Sequence, residues 1–321
     1  MKKAPGKAYR DGVSIIELMA MFPTEEHAIQ WFEDARWGGN RSCAKCGNEH
    51  TRPTRSGKPM PYWCGACRSY FSVRTGTPLA CSNVPLRKWA VAIYLCLTSL
   101  KSVSSMKLHR DINVSQKAAW FMLHRIRDAW STDPGNTFSG PVEVDETYVG
   151  GIDRNRHKRD RKGRLQAGGK TAVVGAKDRP TNQVRAHVVP ETHRLALRSF
   201  VRENVEPGAT LYTDEAAAYQ GEWGYAHEAV KHSVGEYVRG MASTNGVESF
   251  WSMLKRAHKG TFHKISPKHL NRYVQEFAGK HNFRESGTLA QMRNTVARLV
   301  GHRLLYRDLI APNGLPSLAR R

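Results

Sequence analysis

The sequence has 321 residues, 40% of them hydrophobic, and its 50 Lys and Arg against 28 Asp and Glu give a formal net charge of +22. This size allows two or three packed domains, and a pI near 10 indicates a polyanionic partner, usually nucleic acid. The longest apolar stretch, Trp89 to Leu100, is too short to cross a bilayer, and the amino terminus has no apolar signal segment. These features argue against a membrane-spanning or secreted protein and predict a cytoplasmic one.

Helical and β-like patterns follow one another in an order that predicts three folded parts and a tail. Residues 1–80 hold a helical pattern and four paired cysteines, and residues 81–135 are helical. The turn-rich run Ser131 to Gly140 predicts a linker. Short β-like runs with helices between and after them predict a mixed α/β domain over residues 136–285, and residues 286–321 are expected to form a tail.

Two Cys-x-x-Cys pairs are the sharpest local signal. Cys43 and Cys46 are separated from Cys64 and Cys67 by 17 residues, a spacing typical of a four-cysteine zinc ribbon. Four thiolates complete a tetrahedral site without an open position. One Zn²⁺ is therefore expected to stabilise the fold rather than to catalyse.

A helix-turn-helix is the favoured interpretation of the helical segment. A helix is predicted to begin after Ser115, a natural N-cap, with Lys117, His124, Arg125 and Arg127 facing outward as DNA-contacting residues. The alternative is an ordinary helical bundle with a basic surface.

Three acidic residues lie where elements of the α/β domain begin or end. Asp145 lies in an alternating run that predicts a strand, Asp214 follows a second β-like run, and Glu248 opens a helical stretch. Such positions can converge in space, and carboxylate oxygens suit Mg²⁺ or Mn²⁺. Two ions held about 4 Å apart would support phosphoryl transfer.

Each carboxylate also has an ordinary alternative. Asp145 could be a solubilising residue at a strand end, and Asp214 could cap the following helix. Glu248 lies three positions after Asn245, which together resemble a capping box. Glu146 adjoins Asp145 but is expected to point to the opposite face of the strand.

The motif order resembles the insertion-sequence transposases that carry an amino-terminal zinc ribbon and an RNase H-like catalytic domain of the DDE type. The resemblance covers roughly residues 14–285 and rests on the four cysteines followed by VDETYVGG, YTDEAAAY, STNGVESFWSMLKR and KGTFHKISPKHLNRYVQEFAGKHN. It implies Asp145, Asp214 and Glu248 as the metal-binding triad, with Asn245 as an alternative third ligand. It also implies cleavage at the ends of the element, followed by attack of the freed 3′-hydroxyl on target DNA.

Further basic residues are predicted to contact DNA. Lys255 follows Glu248 by seven positions and therefore lies on nearly the same helical face, where it and Arg256 can contact phosphates. The segment Arg154 to Lys170 holds eight Lys or Arg against one Asp and predicts a mobile basic loop, or merely a solvated one. His232 and His263 are expected to lie on the surface or to contact DNA.

The expected partners are the element ends and target DNA, with a homo-oligomer assembled on DNA in the nucleoid. A regulator derived from a transposase and a structure-selective nuclease or resolvase remain alternatives.

Overall fold

The computed structural model describes residues 11–130, 137–150, 170–214, 219, 221, 224–229 and 243–315. Several predictions fall outside these residues: most of the linker, the basic loop apart from Lys170, the helix-like run 215–218, His232, and the tail from residue 316. The chain divides into two compact units, Met1–Thr132 with Phe283–Ala311, and Asp133–Asn282 with Pro312–Arg321.

The described residues form helices and strands in the following order. The helices are α1 (Ile15–Met21), α2 (Glu25–Trp37), α3 (Leu86–Thr98), α4 (Ser105–Ile112), α5 (Gln116–Asp128), α6 (Arg194–Asn204), α7 (Asn245–Ala257), α8 (Pro267–Asn282), α9 (Thr288–Arg298) and α10 (Tyr306–Ile310). The strands are β1 (Thr51–Pro53), β2 (Tyr62–Cys64), β3 (Ser69–Phe71), β4 (Val142–Val149), β5 (Thr171–Asp178), β6 (Val184–Val189), β7 (Thr210–Thr213) and β8 (Ala226–Ala229). A π-helical turn, His258–Phe262, follows α7.

One hydrophobic core joins α1 to α5 and α9 in the first unit. Leu18 and Phe32 from before residue 80 are buried in the same cluster as Trp89 and Leu123 from after it. The structure therefore does not separate residues 1–80 from 81–135 as we predicted. Met292 of α9 is also fully buried in this cluster. The segment predicted as a C-terminal tail from residue 286 thus contains α9, whose apolar face packs into the first core.

Helices α4 and α5 pack together and are joined by a three-residue turn. Asn113 closes α4 in the left-handed conformation (φ 48°). The side chain of Ser115 then accepts a 3.1 Å hydrogen bond from the backbone N–H of Ala118, which confirms Ser115 as the N-cap of α5. The arrangement is compatible with a helix-turn-helix.

A five-stranded mixed sheet in the order β6-β5-β4-β7-β8 forms the centre of the second unit. Strands β4, β5 and β6 are antiparallel neighbours, while β7 and β8 are added in parallel on the other side of β4. This is an RNase H-like sheet, and it confirms the predicted α/β class.

Both faces of this sheet are covered, which explains why most residues of β4 and β5 are buried. Alternate residues of β5 separate into two cores, with Val173 facing α7 and α8 and Val174 facing α6. The face under α7 contains Asp145 and Gly175, which are register partners. That face is therefore the one on which a strand carboxylate meets the helix bearing Glu248.

Candidate metal centres and nucleic-acid interface

The four cysteines of the predicted zinc ribbon lie together. The four Sγ atoms all lie within 4.8 Å of one another. The Sγ atoms of Cys43 and Cys67 are 3.6 Å apart, and those of Cys46 and Cys64 are 3.7 Å apart. Sulfurs bound tetrahedrally to Zn²⁺ at about 2.3 Å lie about 3.8 Å from one another. The cluster therefore fits a structural zinc ion.

Local backbone geometry aims the cysteines at one point. They lie beside a three-stranded antiparallel sheet in the order β1-β2-β3. Gly47 after the first pair (φ 76°) and Arg68 after the second (φ 49°) adopt the left-handed conformation at equivalent positions. The backbone N–H of Gly47 donates a 2.9 Å hydrogen bond to the carbonyl of Cys43, which closes the first turn.

The predicted DNA-facing side of α5 is only partly exposed. Lys117 lies in the exposed first turn of the helix, beside exposed Gln116. His124 is fully buried, and Arg125 and Arg127 are only 8% and 1% exposed. The prediction that these three residues face outward is therefore wrong.

The chain beyond residue 300 explains this error. The ring of Tyr306 in α10 contacts Trp120 and Phe121, and the Arg125 guanidinium lies 4.0 Å from the centre of the Phe121 ring. His302 lies 3.6 Å from Asp128 at the end of α5. The segment expected to be a tail thus covers a side of α5 that the local sequence pattern assigns to solvent.

Asp145 and Asp214 meet at the end of the short strand β7. The parallel register pairs Val142 with Leu211 and Glu143 with Tyr212. Continued by two residues, this register sets Asp145 beside Asp214, just after β7 ends. One carboxylate oxygen from each, together with one from Glu146, lies within 4.8 Å of the others.

The approach of Glu146 corrects the expectation that it points away from the site. Its side chain starts on the opposite face of β4, where it accepts a hydrogen bond from the Tyr219 hydroxyl. Beyond Thr213, however, β7 no longer pairs with β4. Side chains from both faces of β4 therefore reach Asp214 past the end of β7.

Helix α7 brings Glu248 to the same region. The charge of Glu248 acts on Asp145, and the indole N–H of Trp251, one helical turn further on, donates a 3.0 Å hydrogen bond to Asp145 Oδ2. Glu248 itself is not within the 4.8 Å group formed by the other three carboxylates. It faces that group from α7.

The start of α7 differs from the predicted capping box. Thr244 is the N-cap and Asn245 is the first helical residue, which is exposed. The Thr244 hydroxyl donates a 2.8 Å hydrogen bond to Glu248 Oε1. Glu248 is thus the fourth helical residue, too far along for the reciprocal bond of a capping box.

The crowding of carboxylates changes their acidity. Burial, together with the charges of Asp214 and Glu248, raises the pKa of Asp145 to about 6, although the hydrogen bond from Trp251 opposes the shift. Burial likewise raises the pKa of Glu146 to about 7, although the bond from Tyr219 opposes the shift. A site that disfavours negative charge in this way fits a bound divalent cation, whose charge offsets the repulsion.

The remaining predicted DNA contacts lie on exposed positions. Lys255 and Arg256 occupy the exposed last turn of α7, and His263 is exposed just after the π-helical turn. Contact between these residues and DNA remains a prediction. None of the helices in the described ranges combines the length and the apolar character needed to span a bilayer.

An RNase H-like sheet with converging carboxylates, in a chain with a four-cysteine cluster, defines the class of DDE transposases. The chain belongs to the insertion-sequence transposase family. Residues 137–282 match the family described as the ISXO2-like transposase domain.

Two relatives support this assignment over different lengths. An "uncharacterized protein in transposable element ISH50" from Halobacterium salinarum is 30% identical over 285 residues, which cover 83% of this chain and 94% of the relative. An "uncharacterized transposase-like protein" from Haemophilus influenzae is 29% identical over 97 residues, 30% of this chain and 77% of the relative.

Two features of the centre were missed from the sequence. Strand alternation assigns Glu146 to the other face of β4, and no sequence pattern indicates that Trp251 donates a hydrogen bond to Asp145. The sequence contains the adjacent carboxylates Asp145 and Glu146. The early end of β7, which lets both side chains approach Asp214, has no clear local sequence signal.

Proposed function

We propose that the chain cleaves DNA at the ends of its insertion sequence and joins the freed 3′-hydroxyl to target DNA. The observation that carries this proposal is the convergence of Asp145 and Asp214 at the open edge of β4, with Glu248 facing them from α7. Asp145, Asp214 and Glu248 would hold two Mg²⁺ or Mn²⁺ ions, with Glu146 within reach of the same site. When bound, such ions supply activation of the attacking oxygen and stabilisation of the leaving oxygen.

The chain's own residues position the reacting groups. Trp251 fixes the Asp145 carboxylate by donating to Oδ2, and Thr244 does the same for Glu248. Lys255 and Arg256, further along α7, contact phosphates of the bound DNA strand. Asn245 is not favoured as a ligand, because Glu248 is the α7 residue whose charge acts on Asp145.

The first unit holds the DNA through its zinc ribbon and the exposed start of α5, where Gln116 and Lys117 lie. In a helix-turn-helix, the residues that contact base edges are those at the beginning of the second helix. The protein acts as a homo-oligomer assembled on DNA, in the cytoplasm and associated with the nucleoid.

The test is Mg²⁺-dependent cleavage and joining of a labelled element end. Glu248→Gln keeps the side-chain volume and an acceptor for Thr244, but removes the charge. We expect cleavage to fall about 100-fold or more, equivalent to about 2.7 kcal/mol in the activation barrier, with the melting temperature and DNA affinity almost unchanged.

The matched control is Asn245→Ala, which alters the exposed neighbour on the same helical turn and should leave cleavage within about twofold. An active Glu248→Gln beside an inactive but folded Asn245→Ala would move the third ligand to Asn245. Cleavage without any joined product would favour a nuclease or resolvase, and binding of element ends without cleavage would favour a regulator.

A further inference from the structure

A partly buried ion pair links the three elements that carry the proposed metal ligands. Glu143 on β4 is 4% exposed, and its Oε1 accepts a 2.8 Å hydrogen bond from Arg179 Nε. Its Oε2 accepts a 2.9 Å hydrogen bond from the backbone N–H of Val247 in the first turn of α7. Both oxygens of Glu143 are therefore engaged by groups of this chain.

Arg179, which follows β5, extends the linkage in two directions. Its Nη2 donates to the carbonyl and the hydroxyl of Ser243, at 2.9 and 2.7 Å, just before α7 begins. Its guanidinium also lies 4.3 Å from the centre of the Tyr212 ring on β7. A planar fork of donors suits such simultaneous contacts better than an ammonium group does.

Three residues of this linkage lie one or two positions from a proposed ligand. Glu143 precedes Asp145 by two residues on β4, and Tyr212 precedes Asp214 by two residues on β7. Val247 directly precedes Glu248 on α7.

Gly246 permits this close approach. A Cβ atom at this position would lie 2.6 Å from Glu143 Oε2 and 2.8 Å from Lys177 Nζ. Because its backbone is helical, glycine is required here for space and not for conformation. A larger residue would displace the Glu143 carboxylate or the Lys177 side chain from its present position.

We propose that Glu143 and Arg179 are positioning residues, which hold the Glu248-bearing helix in register with the strands that bear Asp145 and Asp214. This inference rests on the proposed metal site. Glu143 is not itself a ligand in this proposal, because its oxygens accept from Val247 and Arg179 and it lies outside the group of converging carboxylates. Its action is to set the separation between Glu248 and the two aspartates.

The experiment compares Mn²⁺ binding to full-length wild type, Glu143→Gln and Arg179→Met, and to the variant carrying both substitutions. Binding is followed by electron paramagnetic resonance of free Mn²⁺, beside cleavage rates over a Mn²⁺ series and melting curves. Loss of a group that orients metal ligands typically lowers metal affinity about 10–100-fold. We expect such a loss in each single variant and little further loss in the double variant.

High Mn²⁺ should restore cleavage in Glu143→Gln, since its ligands are intact, but should not restore it in Asp145→Asn. Should Glu143→Gln not fold, Arg179→Lys replaces it, because lysine keeps the charge but cannot contact Glu143 and Ser243 as a fork.

The chain offers a matched control in Glu25→Gln. Glu25 also accepts from the backbone N–H groups at the start of a helix, those of Leu86 and Arg87, and lies 3.6 Å from Arg74. This substitution should lower the melting temperature and leave Mn²⁺ affinity unchanged. If Glu143→Gln behaves as Glu25→Gln does, the positioning role is refuted. If Asp145→Asn binds Mn²⁺ as well as wild type, the metal site itself is refuted instead.

Discussion

Gly175 provides a direct test of the packing that holds Asp145 in place. A Cβ atom at Gly175 would lie 2.6 Å from Cη2 and Cζ2 of the Trp251 ring, whereas ordinary van der Waals contact begins near 3.4 Å. In Gly175→Ala the buried indole must therefore move by about 0.8 Å, which weakens its hydrogen bond to Asp145 Oδ2.

The cost can be estimated from this geometry. Overpacking a core typically destabilises by about 1–3 kcal/mol, and a hydrogen bond to a charged group contributes about 1.5–3 kcal/mol. Allowing for partial relaxation, we expect Gly175→Ala to lose about 2 kcal/mol of unfolding free energy. In a unit of this size the melting temperature should fall by about 4–8 °C.

The same substitution should change the pH dependence of metal binding. The Trp251 N–H lowers the pKa of Asp145 against the larger effect of burial, which holds it at about 6. Weakening that bond raises the pKa of Asp145, so Asp145 is protonated at a higher pH. As pH falls, the variant should therefore lose Mn²⁺ before wild type does. Since the folded pKa lies above the unfolded one, ionisation of Asp145 destabilises the ion-free fold as pH rises from about 4 to 6. Mn²⁺ should therefore raise the melting temperature more at pH 7 than at pH 5.

The assay is thermal unfolding with and without Mn²⁺ between pH 5 and pH 8. Trp251→Phe supplies the control, because it removes the N–H and leaves a smaller ring over Gly175. Gly175→Ala should cost less in that background than in wild type. An unchanged melting temperature and pH profile in Gly175→Ala would show that the indole does not hold Asp145.

Two further predictions concern the first unit. Cys43→Ser should release about one zinc ion per chain and unfold the cysteine module; metal analysis with circular dichroism tests this, and protein purified without chelator but lacking zinc would contradict it. Lys117→Ala should lower DNA affinity with only a small fall in melting temperature, from loss of the contact between its Nζ and the Tyr306 ring 4.5 Å away. Arg125→Ala should lower the melting temperature more, because its side chain is buried. Binding curves over a salt series and melting curves separate the two, and an equal effect of both variants on DNA affinity alone would restore the outward orientation of Arg125.

Local sequence signals predicted the parts of this molecule that depend on local chemistry. Ser115 was predicted as a cap because its hydroxyl bonds to a backbone group only three residues away. The cysteine cluster was predicted from spacing, because each Cys-x-x-Cys pair forms its own tight turn. A single long-range contact between the two turns then completes the site. Alternation and turn signals placed Asp145 in a strand and Asp214 directly after one, although Asp145 lies in the middle of β4 and not at its end.

Features that depend on distant chain segments could not be predicted in this way. The orientation of Arg125 was wrong because His302 and α10, from a distant part of the chain, cover α5. Glu146 was misplaced because strand alternation says nothing about where the neighbouring strand stops. Glu143 and Arg179 are 36 residues apart, and neither lies in a pattern that indicates an ion pair.

The return of α9 to the first unit has a consequence for synthesis of the protein. Residues 137–282, which form the sheet and its helices, leave the ribosome before α9 does. The carboxylate-bearing unit can therefore complete its core while the cysteine-bearing unit still lacks Met292. A chain that stops before residue 288 would contain all the proposed metal ligands. The hydrophobic core of its first unit would lack the residues that α9 contributes. Such a fragment would be a poor competitor for the full-length protein on DNA, because the unit proposed to hold DNA would be incomplete.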